Sequence, residues 1–219
     1  FYQFFGQSEC PMVIANMSKK DHDLSKPQRL SSCGRPTPWL HLALLDPDCN
    51  PVPEGEPGEI CVRGPLIMKG YKDMPEQTAE AFAGGWLHTG DVGKLDEDGF
   101  LYIVDRTKDM IVTGGFNVFP REVEDVLGTH EAVGQVVVIG VPDEQWGEAV
   151  KAVVVLKPGF AAGEDLAHAM QSLVKEAKGS VQAPKSVDFV DAIPLTPVGK
   201  PDKKAVRAQY WQGSDRGVG

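Results

Sequence analysis

The sequence predicts an α+β protein, and three observations carry that prediction. Residues 34–104 break into short apolar strands separated by Gly, Pro and Asp turns. A charged run, Asp105-Arg106-Thr107-Lys108-Asp109, then separates two apolar segments. Beyond it, apolar runs of strand length alternate with helical periodicity. The strand-rich part suggests a small barrel or sandwich. The part after the joint reads as a small α+β domain of about a hundred residues, inside the usual domain range.

Phe1 to Phe5 look like the middle of a strand, with Gly6 and Gln7-Ser8-Glu9 as its exit. The aromatic start has no Met and no basic flank, so it reads as the interior of a longer chain and not as a signal peptide. Residues 10–33 have poor periodicity and read as a connecting loop, with His22 solvated. Leu40–Leu45 is a strand that Asp46-Pro47-Asp48 breaks, and Glu59–Arg63 is another, ended by Gly64-Pro65. Thr78 to Phe82 suits a short helix after a break at Pro75. Asp98-Gly99 is a strong hairpin signal leading into the strand Phe100–Val104. After the joint, Met110-Ile111-Val112 reaches a flexible Gly114-Gly115 loop, and Pro120 starts a helix with Val123, Val126 and Leu127 on one face. Gln135–Val141 and Val150–Leu156 read as buried strands. Glu164–Lys178 is helical, with Leu166, Met170, Leu173 and Ala177 on one face and Gly179 at its C-terminal stop. Val187–Val190 is a short strand, Asp202–Trp211 a last helix, and 212–219 a frayed tail.

Composition excludes several function classes. Of 219 residues, 42% are hydrophobic and 24% charged, ordinary for a soluble globular chain. Lys+Arg 22 against Asp+Glu 31 leaves a net charge of -9, which gives no general attraction to nucleic acid or anionic lipid. No apolar run approaches the roughly 20 residues of a membrane span. Cys10, Cys33, Cys49 and Cys61 form no C-x-x-C pair, and none has a His at metal-ligand spacing in the sequence. They read as free thiols in a reducing cytoplasm.

Four places can carry chemistry, each with a plainer alternative. Ser8 beside Glu9, just past a strand, can serve a phosphate and its Mg²⁺, or be an ordinary strand exit. Asp91, after Thr89-Gly90, can accept two hydrogen bonds from a ribose diol, or cap a turn. The run 105–109 can be a hinge between two bodies, or the charged turn of a hairpin. Lys200 sits in Pro194-Leu195-Thr196-Pro197-Val198-Gly199-Lys200, where two prolines and a glycine shape the loop, and can serve as a point charge or be a surface lysine. Lys203, Lys204 and Arg207 read as a solvated helix face in preference to a patch facing phosphates.

Together these segments resemble the adenylate-forming enzymes: acyl-CoA synthetases, luciferases and the adenylation domains of peptide synthetases. The matching runs are Phe5-Gly6-Gln7-Ser8-Glu9, Gly58 to Pro65 with Gly70-Tyr71, Trp86 to Asp91, Asp105 to Asp109 with Gly114, Gly115, Asn117, Pro120 and Glu122, and Pro194 to Lys200. They follow in the family's order and span nearly the whole chain. Phe5 and Ser8 stand where the family has Tyr and Thr.

The resemblance implies residues 1–33 as the trailing segment of a large nucleotide-binding domain, 34–104 as a barrel-like subdomain, 105–109 as a hinge and 110–219 as a small C-terminal lid. It implies Phe5 against adenine, Ser8 on the α-phosphate, Glu9 on Mg²⁺, and Asp91 with Arg106 on the ribose. It also implies Lys108 as the pivot, Gly114 and Gly115 along the path of coenzyme A, and Lys200 bridging substrate carboxylate and α-phosphate. No catalysis is implied for Arg63 or Tyr71. The reaction implied is ATP-dependent activation of a carboxylic, fatty acid to acyl-adenylate and then acyl-CoA, with ATP/AMP, Mg²⁺ and CoA as participants. The family's Ser/Thr/Gly-rich phosphate loop ending in Pro-Lys-Gly does not occur in these residues, so this stretch alone should not turn over. The rival readings are a non-catalytic nucleotide-binding or interaction module, and an adenylating enzyme that loads a carrier-protein thiol.

Overall fold

The computed structural model describes residues 1–211, so the tail expected to fray lies outside the described residues. The chain divides into two compact units, 1–107 and 108–219.

The first unit holds two antiparallel sheets. Strand β1 (Gln3–Gln7) pairs with β2 (Cys10–Met17), and Gln7 opposite Cys10 makes Ser8-Glu9 a two-residue turn. Short β3 (Arg35–Pro36) lies on the far side of β2. The loop expected over 10–33 therefore begins with an eight-residue strand. Ile14, Ala15 and Met17 are buried there, yet Pro11 and Asn16 spoil the alternation that would have announced a strand. His22, expected to be solvated, is half-buried, with Nδ1 2.9 Å from the Ser18 carbonyl and its ring edge-on to Phe1.

The second sheet runs β4 (His41–Leu45), β5 (Gly58–Arg63), β6 (Leu87–Leu95), β7 (Leu101–Arg106) in chain order. No pairing joins β4 to β7 among the described residues, so this is an open sheet and not the barrel the turn spacing suggested. Helix α1 (Pro75–Ala81) carries Pro75 at its first turn, where the missing N–H costs nothing; Pro75 starts the helix instead of breaking the chain ahead of it. Both sheets share one core: Cys10, Ile14 and Ala15 from β2 meet Ile60 and Val62 of β5, Leu87 of β6 and Leu101 of β7. Full burial of each large aliphatic side chain contributes about 1.5–3 kcal/mol.

One irregularity in this sheet positions the site. Glu59 faces Val92 and Cys61 faces His88, so Thr89-Gly90-Asp91 on β6 stand against Ile60 alone. The extra residues form a bulge, which re-aims side chains. Gly90 takes φ +71, a conformation that suits glycine, and its N–H donates to Glu59 Oε1 at 2.9 Å.

The second unit is built on the long antiparallel pair β10 (Val133–Asp143) and β11 (Gly147–Leu156), with ten aligned positions. Its β8 (Ile111–Thr113) meets β11 at Gly147, and β9 (Phe116–Val118) pairs with β8. Parallel strand β12 (Ser186–Phe189) runs beside β11. Helix α2 (Pro120–Leu127) and helix α3 (Glu164–Lys178) supply Val123, Leu127, Met170 and Val174 to one core over Val138, Val150, Ala152 and Val154. On the other face, Val137, Ile139 and Val153 pack with Ile193 and with Val206 of α4 (Lys203–Ala208). Burial on both faces explains why the strands read as continuous apolar runs.

Three expectations change here. Gly114-Gly115 is a tight turn and not a flexible loop: Thr113 pairs with Phe116, and both glycines have positive φ, +56 and +83, as a two-residue hairpin requires. The charged joint is not the turn of a hairpin, because β7 and β8 belong to different sheets and Thr107–Asp109 form a single 3₁₀ turn. Lys203 and Arg207 are not solvated. Lys203 pairs with Glu124 at 2.9 Å and Arg207 with Asp109 at 3.3 Å, with all four side chains mostly covered.

Candidate functional site

In the first unit, strand pairing brings Asp91 and Arg106 together. They are cross-strand partners on β6 and β7, and Arg106 Nε donates to Asp91 Oδ1 at 3.0 Å. Asp91 is buried and its N–H donates to Thr89 Oγ1 at 3.2 Å; the Arg106 side chain is 55% exposed. The pair thus presents a carboxylate fixed by the sheet and a guanidinium open to solvent. Such a pair can accept from a diol and meet a phosphate at once. Beside it, Asp105 is buried and accepts the Arg106 N–H at 2.8 Å, which holds the end of β7.

Phe5 is half-buried against the core shared by the two sheets. Ser8 is exposed in the β1–β2 turn, and Glu9 beside it is half-buried. Tyr71, which sequence reasoning left without a role, donates its hydroxyl to Glu9 Oε1 at 2.8 Å, while the Glu9 carbonyl accepts from Met68 N–H at 2.8 Å. That hydrogen bond pushes the Tyr71 phenol above its ordinary range. The Gly70-Tyr71 match was the signal available for it. Arg63 stacks 4.0 Å over Trp86 and donates to the carbonyls of Gly84 and Gly85, a structural use. A larger cleft of about 790 Å³ lies by Glu54 and Asp96–Asp98 and holds none of the predicted residues.

In the second unit, Lys108 is exposed on the 3₁₀ turn. The Gly114-Gly115 turn is tied back by Gly114 N–H donating to the Trp146 carbonyl at 2.9 Å. A cavity of about 230 Å³ lies beside it, lined by Thr113, Phe116, Trp146, Val181 and Lys185. Lys200 is exposed at the end of a closed turn: Thr196 N–H donates to the Lys200 carbonyl at 2.7 Å, Gly199 N–H to the Thr196 carbonyl at 2.8 Å, and Lys200 N–H to Thr196 Oγ1 at 3.1 Å. Ile193 and Val206, buried on either side of this turn, anchor it to the β10–β11 face.

A further cluster in the first unit was missed. Reading spacing along the chain found no His near a Cys, but the β5–β6 register sets Cys61 opposite His88. Cys61 Sγ lies 3.4 Å from His88 Nδ1, Glu59 Oε2 lies 2.8 Å from the same nitrogen, and Cys49 Sγ stands 3.8 Å from Nε2. The four cysteines are free thiols, as expected. Burial, then the neighbouring Glu59 carboxylate, pushes the Cys61 thiol well above its usual range. The alternation of Glu59 and Cys61 on one strand face was the signal available.

Residues 1–72 match the AMP-binding enzyme family, and 122–200 match the AMP-binding enzyme C-terminal domain. The medium/long-chain-fatty-acid–CoA ligase FadD8 of Mycobacterium tuberculosis is 60% identical over 223 residues, covering 100% of this chain and 38% of that protein. A long-chain-fatty-acid–CoA ligase of Escherichia coli is 42% identical over 204 residues, covering 93% of this chain and 35% of its own length. Among solved structures, the amide bond synthetase McbA of Marinactinospora thermotolerans matches with TM-score 0.81 and 41% identity, over 95% of this chain and 41% of that one. The o-succinylbenzoate CoA synthetase MenE of Bacillus subtilis, in complex with its acyl-adenylate intermediate, matches with TM-score 0.78 and 32% identity, over 100% and 42%. The chain spans less than half the length of each of these relatives. No helix among the described residues is long and apolar enough to cross a membrane. The motifs in their order, the two family matches and the paired Asp91 and Arg106 agree: the chain belongs to the adenylate-forming AMP-binding enzymes.

Proposed function

We propose that this chain is the C-terminal part of an acyl-CoA synthetase that activates a fatty acid with ATP. The carboxylate attacks the α-phosphorus and pyrophosphate leaves; the thiol of CoA then attacks the acyl carbon and AMP leaves. The observation that carries the proposal is the Asp91–Arg106 pair, a carboxylate held by a bulge with a guanidinium beside it, which suits a ribose diol and a phosphate. The fatty acid is taken from the two ligases, 60% and 42% identical.

Phe5 stacks on adenine and Ser8 meets the α-phosphate. Glu9 fits Mg²⁺ by donor chemistry, since a carboxylate suits a hard cation and Tyr71 orients it. Lys200 offsets the repulsion between carboxylate and α-phosphate. The apolar walls beside Gly114-Gly115 suit the thread of CoA. Lys108 is the pivot between the two half-reactions, and the remaining phosphate contacts come from the length of the relatives that this chain does not span.

The test uses the full-length protein. Acid-dependent exchange of labelled pyrophosphate into ATP, with thioester formation on CoA, is expected. Lys108→Pro should leave exchange largely intact and slow the thioester step, because proline fixes a torsion that a hinge must change. Absence of exchange in the wild type favours the non-catalytic module, and transfer only to a carrier-protein thiol redirects the second step.

A further inference from the structure

We infer that Glu59, Cys61 and His88 form a binding site for a thiophilic divalent cation of the Zn²⁺ class, built into the strands that support the Thr89-Gly90-Asp91 bulge. One ligand atom from each, a carboxylate oxygen, a thiol sulfur and a ring nitrogen, lies within 4.8 Å of the other two. Ligands at about 2.0–2.3 Å around a tetrahedral Zn²⁺ sit roughly 3.3–3.8 Å from one another, so the donors need to move only a little. This set of O, S and N donors matches what Zn²⁺ accepts and is poor for Mg²⁺, which takes oxygen.

The surroundings favour a cation over a simple cluster. His88 Nε2 is 3.1 Å from the Ala83 carbonyl and donates its proton there. Its Nδ1 faces Glu59 Oε2 at 2.8 Å. Nδ1, Glu59 Oε2 and Cys61 Sγ converge on one point, where a bound cation would take the place of the direct His88–Glu59 contact. The other Glu59 oxygen already accepts from Gly90 N–H. A histidine oriented by a carbonyl and a carboxylate oriented by an amide are the usual second partners of metal ligands. Cys49 stands on the opposite edge of the ring, at Nε2, and is not a ligand.

The site would brace the bulge. Glu59 reaches Gly90, and Asp91 follows directly, so a cation fixing Glu59 also fixes the carboxylate proposed for ribose. Binding Zn²⁺ displaces the thiol proton of Cys61, so affinity falls as pH drops.

The experiment is a Co²⁺ titration of the reduced full-length protein, read by the thiolate-to-cobalt charge-transfer band and followed by displacement with Zn²⁺. The band should saturate at one equivalent, vanish in Cys61→Ser, weaken at least tenfold in apparent affinity in Glu59→Gln, and persist in Cys49→Ala and Cys10→Ser. Circular dichroism reports whether Cys61→Ser is folded. If it is not, His88→Gln decides in the same assay, loss of the band supporting the site and retention overturning it. No band in the wild type, a band that survives folded Cys61→Ser, or one that needs Cys49 overturns the inference.

Discussion

Asp91 and Lys200 are assigned to the same nucleotide chemistry but are held in opposite ways. Asp91 is buried in a bulge of an inner strand, with Arg106 across from it and Glu59 bracing the residue before it. Lys200 ends a short turn that is closed by its own backbone and exposed to solvent. A group held by a sheet is preorganised at all times, which suits steady binding. A charge on an exposed turn suits a contact that is made for one step and then withdrawn. The contrast fits the roles proposed for them, binding for Asp91 and the first half-reaction for Lys200.

The largest effect that can break this comparison is on Lys200. In the full-length protein, Lys200→Ala should lower adenylate formation about 10²–10³-fold, the usual loss for one preorganised charge or donor. Thioester formation from synthetic acyl-adenylate should stay close to wild type. Pyrophosphate exchange at the normal rate would make Lys200 an ordinary surface lysine.

Asp91→Ala sharpens the comparison from the other side. Loss of hydrogen bonds to a charged group costs about 1.5–3 kcal/mol, so the KM for ATP should rise roughly 10- to 150-fold. Both half-reactions should weaken, because the ribose is held throughout. Unchanged ATP kinetics would remove Asp91 from the site.

The smallest effect concerns the glycine turn. Both glycines carry the left-handed cost of about 1–2 kcal/mol on conversion to alanine. A Cβ on Gly114 would also come within 2.5 Å of the Trp146 ring, whereas one on Gly115 meets nothing within 4 Å. Urea unfolding should find Gly114→Ala less stable than Gly115→Ala by a further kcal/mol or so. Equal midpoints would mean that the ring moves aside freely.

Elements with a strong period or a strong stop were legible. The span expected for α3, Glu164–Lys178, matches, because apolar periodicity, acidic residues in the first turn and Gly179 all agree, although its buried face takes Val174 and leaves Ala177 exposed. The continuous runs in β10 and β11 were legible because both faces are buried. Strand β2 was not, since its proline and asparagine hide the alternation and only pairing with β1 and β3 reveals it. Closure into a barrel could not be read from strand spacing, which an open sheet shares. Asp91, Arg106 and Lys200 were singled out by motif, and the β6–β7 register adds only that Arg106 bonds Asp91 directly. The Glu59–Cys61–His88 cluster was invisible for the same reason: its members are neighbours only across the β5–β6 ladder. Lys203 and Arg207 looked solvated because their acidic partners, Glu124 and Asp109, lie far away in the sequence.

The β10–β11 pair has a mechanical consequence. Ten aligned positions, with a packed layer on each face, make a beam. To bend it, ladder hydrogen bonds and two cores would have to open together. The Lys200 turn, fixed to the beam through Ile193 and Val206, is as stiffly held as the strands beneath it, so its charge keeps one place relative to the β10–β11 pair.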